Sequence, residues 1–96
     1  MPHYLYILRC SDGRLYTGNT HDPDRRLQEH QTGADKSAFT FPRRPVERVF
    51  LEAFESENDA LEAEWKIKKW TRAKKEALIA GDWALVSQLA RKSFSR

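Results

Sequence analysis

The sequence predicts an α+β fold, in which a small, three-stranded, mainly antiparallel sheet is flanked by helices. A strong turn signal between two apolar runs near the N-terminus predicts a β-hairpin. The later segments predict further elements in the order α-β-α-α-α, without the long βαβ crossovers that a parallel sheet requires. The chain has 96 residues, which is enough for one modest core, so we expect a single domain over residues 1–96.

The predicted hairpin consists of residues 3–10 and 15–20, which are rich in aromatic, β-branched and other apolar side chains. The segment Ser11-Asp12-Gly13 between them combines residue types that favour tight turns. The length of this turn decides the register of the two strands, and therefore which side chains share a face of the sheet.

Two registers are open. A two-residue turn at Asp-Gly would pair Tyr6 with Asn19 and send Tyr6 and Tyr16 to opposite faces. A three-residue turn with Gly13 in the left-handed conformation would pair Tyr6 with Gly18, and it would place both tyrosines on one face.

Capping residues in the sequence set the predicted limits of the remaining elements. Asp22 provides an N-cap and Pro23 the first helical position, so a helix should run to about Thr32, where Gly33 ends it. Apolar residues at helical spacing, with caps at their ends, predict three more helices. The other predicted elements are a loop over 34–45, a strand over 46–54 and helices over about 57–70, 71–80 and 82–92.

Composition narrows the class of protein. No apolar run approaches the ~20 residues of a membrane span, and the N-terminus does not read as a signal peptide. The single cysteine, Cys10, has no disulfide partner, so we expect a reducing cytoplasm. The net charge is +3 and its basic excess is concentrated in residues 71–96, which favours a polyanionic partner. Solvated helix faces would show the same charges.

Glu64 occupies an unusual position on the helix predicted from residue 57. On a helical wheel it lies in the apolar sector with Ala60 and Ile67. Burial of an unpaired carboxylate is costly, so Glu64 must be ion-paired, exposed to a cleft or bound to a cation. Lys68, four residues on, is the nearest candidate for an ion pair.

The first helix contains a similar feature, because Arg26 and His30 lie beside the inward-facing Pro23 and Leu27. This position predicts that Arg26 faces the body of the protein. An inward arginine is suited to holding a phosphate through its planar fork of donors. The alternative is an internal ion pair, for instance with Glu64.

Five features together resemble the GIY-YIG endonuclease domain. They are the motifs Tyr4-Leu5-Tyr6 and Tyr16-Thr17-Gly18, followed in order by Arg26, His30 and Glu64. The spacing carries the resemblance, since an arginine follows the second tyrosine motif by ten residues in that family, as Arg26 follows Tyr16 here.

The resemblance covers roughly residues 3–80 and is strongest to the short bacterial branch in which the domain stands alone. The first motif reads Tyr-Leu-Tyr rather than Gly-Ile-Tyr. Asn19 stands where DNA-repair members carry a lysine, and an asparagine found near the end of the domain in several members has no match.

The resemblance implies a DNA endonuclease that hydrolyses phosphodiester bonds by attack of water, in DNA repair, recombination or the processing of structured DNA. It implies that Glu64 holds one Mg²⁺ or Mn²⁺ ion, that Arg26 binds the scissile phosphate, and that Tyr16 or Tyr6 takes the proton from water. His30 would position a tyrosine or the phosphate. The candidates for contacts to the DNA backbone are Lys36, Arg43, Arg44, Lys68 and Lys69.

Two other functions compete with this one. The chain could be a nucleic-acid-binding module that has kept the fold but lost cleavage, as Asn19 and the unmatched asparagine suggest. It could instead be a protein-interaction domain whose last helix presents Trp83, Val86 and Leu89 to a partner, although that stripe would also serve to cover the domain's own core. The sequence indicates no membrane association and no obligate protein partner.

Overall fold

The predicted α+β architecture is confirmed by a computed structural model that describes residues 2–82. Three antiparallel strands form one sheet in the order β2-β1-β3, so the first strand is central. One short 3₁₀ turn, Phe41–Arg43, interrupts the segment predicted as a loop. The elements are β1 (His3–Cys10), β2 (Leu15–Thr20), α1 (Pro23–Thr32), β3 (Val46–Phe54), α2 (Glu57–Lys68) and α3 (Arg72–Ala80).

The hairpin of β1 and β2 adopts the register of the three-residue turn. The Cys10 amide donates to the Arg14 carbonyl over 2.8 Å, and Gly13 between them has a φ of 87°. A side chain at this φ would be strained, which is why the turn needs a glycine. Tyr6 consequently lies opposite Gly18. The two-residue turn is excluded.

Helices cover both faces of the sheet. On one face, Leu5 and Ile7 of β1 pack with Ile67 of α2 and Leu78 of α3. On the other face, a second buried cluster that includes Tyr6, Leu8 and Val46 packs against Leu27 of α1. Because β1 is buried on both sides, its sequence is a nearly continuous apolar run and not an alternating one. Each fully buried aliphatic side chain contributes about 1.5–3 kcal/mol to folding.

Local capping explains where the helices begin and end. Asp22 accepts a hydrogen bond from the Arg25 amide at the start of α1, and Gly33 ends that helix in the left-handed conformation. Ser56 and Thr71 cap α2 and α3 through their hydroxyl oxygens. A cap of this kind is worth about 1 kcal/mol. The predicted bounds are therefore close to the observed ones, except that α2 ends two residues before the predicted Trp70.

Two predictions concern the end of the chain. The helix predicted over 82–92 lies outside the described residues, apart from Asp82, and the single-domain prediction for 1–96 stays a prediction for the same reason. Within residues 2–82, no helix combines the length and apolar character needed to cross a membrane.

Candidate active site

Tyr6 and Tyr16 lie side by side on the face of the sheet that α1 covers. Their ring centroids are 6.3 Å apart, as the observed register requires. The Tyr6 ring lies across the backbone of Gly18, where an added Cβ would come within 2.5 Å of the tyrosine hydroxyl oxygen. The glycine that ends the Tyr-Thr-Gly motif is therefore required by the close approach of Tyr6.

A chain of buried hydrogen bonds runs from β1 through α1 to the loop before β3. The Tyr6 hydroxyl lies 3.0 Å from Nε2 of His30, and Nδ1 of His30 lies 2.7 Å from the Thr40 hydroxyl oxygen. Burial lowers the pKa of His30, and the nearby Arg26 charge lowers it further. The imidazole is therefore neutral near pH 7, with one nitrogen that donates and one that accepts.

Tyr6 keeps its proton in this environment. Burial raises the pKa of Tyr6, and the neighbouring Tyr16 raises it further, while Arg26 acts in the opposite direction. The Tyr6 hydroxyl is thus held as a neutral donor or acceptor in the hydrogen-bond chain. Among the two tyrosines, Tyr16 is the one that lines open space.

That space is a cleft of about 460 Å³ between β2, α1 and the segment before β3. Tyr16 packs against His30, with 5.3 Å between their centroids, and stacks on Phe39 at 6.1 Å. Arg26 and Glu29 line the same cleft. The cleft therefore brings a phenol, an imidazole and a guanidinium together.

The prediction that Arg26 faces the body of the protein is confirmed only in part, because Arg26 lines the cleft and interacts with Tyr6 but is not buried. Its side chain is 45% exposed and forms an ion pair with Glu29, 3.1 Å from Nε to Oε1. Glu29 lies in the wall of the same cleft. The physical reason is that α1 lies on the sheet through Leu27 and His30, which leaves Arg26 at the helix flank, where its long side chain keeps the charge in water.

Glu64 of α2 is only 13% exposed and is fully engaged. Lys68 forms an ion pair with Oε2 over 2.6 Å, which is one of the alternatives that the spacing of the two residues allowed. Asn19 of β2 donates a hydrogen bond to Oε1, and the Asn19 oxygen in turn lies 2.7 Å from Nε2 of His3. The alternative ion pair with Arg26 does not form, because Arg26 pairs with Glu29.

Lys68 contacts the Glu64 carboxylate and also approaches Tyr16. Its ammonium lies 6.0 Å from the centroid of Tyr16, across the free edge of β2. The hydrogen bond to Glu64 raises the pKa of Lys68, so the lysine is charged at neutral pH. Lys68 therefore lies between the Glu64 carboxylate and the Tyr16 ring.

The site offers one carboxylate, that of Glu64, as a ligand for a hard divalent cation. Among residues 2–82, no group of three His, Cys, Asp or Glu side chains converges as a metal site, which argues against a zinc-type cage. Mg²⁺ keeps most of its water ligands and needs few carboxylates, so Glu64 alone fits such an ion. The Lys68 ammonium already lies against Oε2 as a positive charge, and a metal there would have to replace it.

The predicted DNA-contact residues divide into two groups. Arg43 and Arg44 hold the segment before β3 together: the Arg43 guanidinium lies 3.9 Å from the Phe39 centroid and pairs with Asp12, and Arg44 lies over Phe41 at 4.3 Å. The other group consists of exposed cations, namely Lys36, Lys68 and Lys69.

Sequence reasoning missed two residues of the site, Thr40 and Phe39, and it named Asn19 without its contact to Glu64. Thr40 lies in a segment without helical or strand periodicity, so no local sequence pattern predicts that it is buried beside His30. The contact of Phe39 with Tyr16 could not be predicted for the same reason. The contact of Asn19 could have been found, because the alternation of β2 places it on the face opposite Tyr16, where α2 packs.

The arrangement of tyrosines, histidine, arginine and glutamate on this small sheet defines a GIY-YIG type of domain. The model of the GIY-YIG catalytic domain matches residues 2–77, which is most of the chain. The chain therefore belongs to the GIY-YIG family.

Relatives of similar length share its sequence. A UPF0213 protein of Bacillus pumilus is 43% identical over 77 residues, which covers 80% of this chain and 78% of the relative. A UPF0213 protein of Natronomonas pharaonis is 45% identical over 80 residues, or 83% and 93% of the two chains. These matches are consistent with a short, stand-alone branch of the family.

Solved structures agree with the fold. The solution structure of protein EF2693 from E. faecalis superposes with a TM-score of 0.60 at 40% identity and covers 88% of each chain. That of the UPF0213 protein BH0048 from Bacillus halodurans gives a TM-score of 0.55 at 42% identity, with 83% of this chain and 84% of the other covered.

Proposed function

We propose that this chain is a metal-dependent DNA endonuclease that hydrolyses a phosphodiester bond by attack of water. The observation that carries the proposal is the meeting of Tyr16, His30 and Arg26 in one cleft of a GIY-YIG domain, with Glu64 across the edge of β2. DNA is the proposed partner and DNA repair, recombination or the processing of structured DNA the proposed context, in the cytoplasm.

In this proposal Tyr16 is the general base. Tyr6 holds its proton because burial raises its pKa, and its hydroxyl hydrogen-bonds to His30. Tyr16 lines the cleft, where a water molecule can reach it, and the Lys68 ammonium lies 6.0 Å from the centroid of its ring. Tyr6 and His30 then act as positioning residues that hold the Tyr16 ring in place.

Arg26 is proposed to bind the scissile phosphate. Its ion pair with Glu29 is solvent-exposed, and such pairs contribute only about 0–1 kcal/mol, so a phosphate could take its place at small cost. The guanidinium fork then offers two parallel hydrogen bonds to phosphate oxygens.

Glu64 is proposed to hold one Mg²⁺ or Mn²⁺ ion, which would neutralise charge that develops on the phosphate. Lys68 would leave Oε2 and remain close enough to contact the DNA backbone. The exposed cations Lys36 and Lys69 are proposed as further backbone contacts, and Arg43 and Arg44 would reach DNA only through the outer edges of their guanidinium groups.

Nicking of supercoiled plasmid with Mg²⁺ or Mn²⁺ tests this function, with a matched pair of arginines on α1. Arg26 and Arg25 both pair with Glu29, but Arg26 lines the cleft and Arg25 does not. We expect Arg26→Ala to lower the nicking rate at least about a hundredfold, which corresponds to ~2.7 kcal/mol of transition-state stabilisation. Arg25→Ala should lower it no more than a few fold. Equal rates for the two variants would contradict the phosphate role of Arg26.

The second candidate is a DNA-binding module without cleavage. It is favoured by the Glu64 carboxylate, which Lys68 and Asn19 already satisfy. Binding of DNA without nicking by either metal, in a protein that folds normally, would support this candidate over the nuclease.

A further inference from the structure

Trp65 is the most exposed large apolar side chain among residues 2–82. It is 63% exposed on the outer face of α2, whereas Phe39, Leu51 and Leu61 are 40–43% exposed. An indole contributes most when it is buried, so its exposure on a helix that packs well elsewhere indicates a surface that contacts something.

The surroundings of Trp65 are basic. The Lys69 ammonium lies 3.4 Å from the indole centroid and covers one face of the ring. Lys68 follows Trp65 by three residues and therefore lies on the adjoining part of the helix surface. We call Trp65, Lys68 and Lys69 the Trp65 patch.

The Trp65 patch adjoins the active site. Lys68 contacts Glu64 and approaches the Tyr16 ring, so it belongs to both surfaces. On the helical wheel Lys68 lies between Glu64 and Trp65. A strand that leaves the cleft past Glu64 would therefore meet Lys68 first and the indole next.

The chemistry of the patch favours an unpaired nucleic-acid strand. Cations that flank an aromatic ring match a ligand that alternates phosphates with aromatic bases. Duplex DNA keeps its base faces stacked inside the helix, where an indole cannot reach them. Glu62 on the same helix forms an ion pair with Lys66 at 3.1 Å, which offsets its negative charge toward a polyanion.

We propose that the Trp65 patch stacks on an unpaired base beside the cleavage site, so that the substrate is DNA with a single-stranded segment, such as a flap or an open end. The inference rests on the proposed nuclease function and specifies its substrate class. Lys68 and Lys69 contact the phosphates of this segment while Trp65 contacts the base.

Binding in EDTA tests the patch without any cleavage. The ligands are an oligothymidine and an abasic strand of the same length, which carries the same phosphates without bases. We expect the wild-type protein to bind the oligothymidine about tenfold more tightly, since stacking on one base is worth roughly that factor. Trp65→Ala should remove this preference and leave binding of the abasic strand unchanged, while Trp65→Phe should retain most of it.

Leu61→Ala is the matched control. Leu61 is exposed one turn before Trp65 on the same helix, but it has no aromatic face, so its removal should leave the preference unchanged. All three variants keep the net charge, and each changes an exposed position that the core does not need.

Three results would overturn the proposal. They are equal affinity of the wild-type protein for both strands, an unchanged preference in Trp65→Ala, and a change of oligomeric state in Trp65→Ala by light scattering without a change in DNA affinity. The last result would assign Trp65 to a protein interface. Failure of the nuclease proposal appears separately, as absence of plasmid nicking with a base preference that persists in EDTA.

Discussion

The two polar clusters on either side of β2 differ in charge and in exposure to water. The cluster under α1 is buried and neutral: Tyr6, His30 and Thr40 satisfy one another through hydrogen bonds of 3.0 and 2.7 Å. The cluster under α2 is charged and open to water on one side, because Glu64 pairs with Lys68, whose side chain is 50% exposed.

This difference in burial and charge predicts that one cluster serves stability and the other serves function. A buried neutral group that loses its partner costs about 1–3 kcal/mol, since no water replaces the lost hydrogen bond. Replacing the Glu64 carboxylate should cost little stability, because the half-exposed Lys68 that is left is solvated by water. We therefore expect changes in the first cluster to act mainly on folding, and changes in the second to act mainly on chemistry.

The largest expected effect is that of Glu64→Gln on cleavage. The amide keeps the size of the side chain but is a poor ligand for a divalent ion, so plasmid nicking should fall at least about a hundredfold. The free energy of unfolding without metal should change by less than ~1 kcal/mol, because Lys68 can reach water. Glu62→Gln, which breaks the exposed ion pair with Lys66 on the same helix, is the control and should change neither quantity appreciably.

Chemical denaturation together with nicking on the same preparation would decide this case. A loss of about 3–5 kcal/mol with normal cutting by the remaining folded protein would show that Glu64 is structural, as a buried ion pair would be.

The next largest effect is on the free energy of unfolding, and it should differ between two buried threonines. Thr40→Val removes the partner of His30 Nδ1 and should lower the free energy of unfolding by about 1–3 kcal/mol. Thr17 is equally buried in β2, but its hydroxyl has no hydrogen-bond partner within residues 2–82, so Thr17→Val should be neutral or stabilising. Urea denaturation of both variants measures the contrast. If the two substitutions had equal effects, the hydrogen-bond chain would not be a source of stability.

The smallest effect is a pH dependence of stability through His30. Burial lowers the pKa of His30 below its usual 6.5, so the unfolded state takes up a proton at a higher pH than the folded state does. This contribution to stability is present above about pH 6.5 and is lost as the pH falls below it. We expect a His30→Gln variant to be less stable at pH 7.5 and to lose less of its remaining stability between pH 6.5 and 5 than the wild-type protein. Parallel slopes for the two proteins would assign the acid sensitivity to other groups.

The sequence by itself determined the elements and their ends, because those signals are local. Asp22, Ser56 and Thr71 lie next to the amides that they cap, and Gly33 and Gly81 end helices through their own backbone conformation. The ion pair of Glu64 with Lys68 was one of the alternatives that the sequence offered, since it spans one helical turn. The turn at Gly13 left two registers open, and only pairing along the whole of β1 chose between them.

The tertiary structure decided which distant residues meet. His30 contacts Thr40 in a segment without a period, and Asn19 reaches Glu64 across 45 positions of the chain. It also decided that Arg26 stays at the rim of the cleft, because the way α1 lies on the sheet sets which flank of the helix is open to water. Patterns three or four residues long describe one element at a time. The position of one element on another depends on the packing of whole faces, which no short pattern contains.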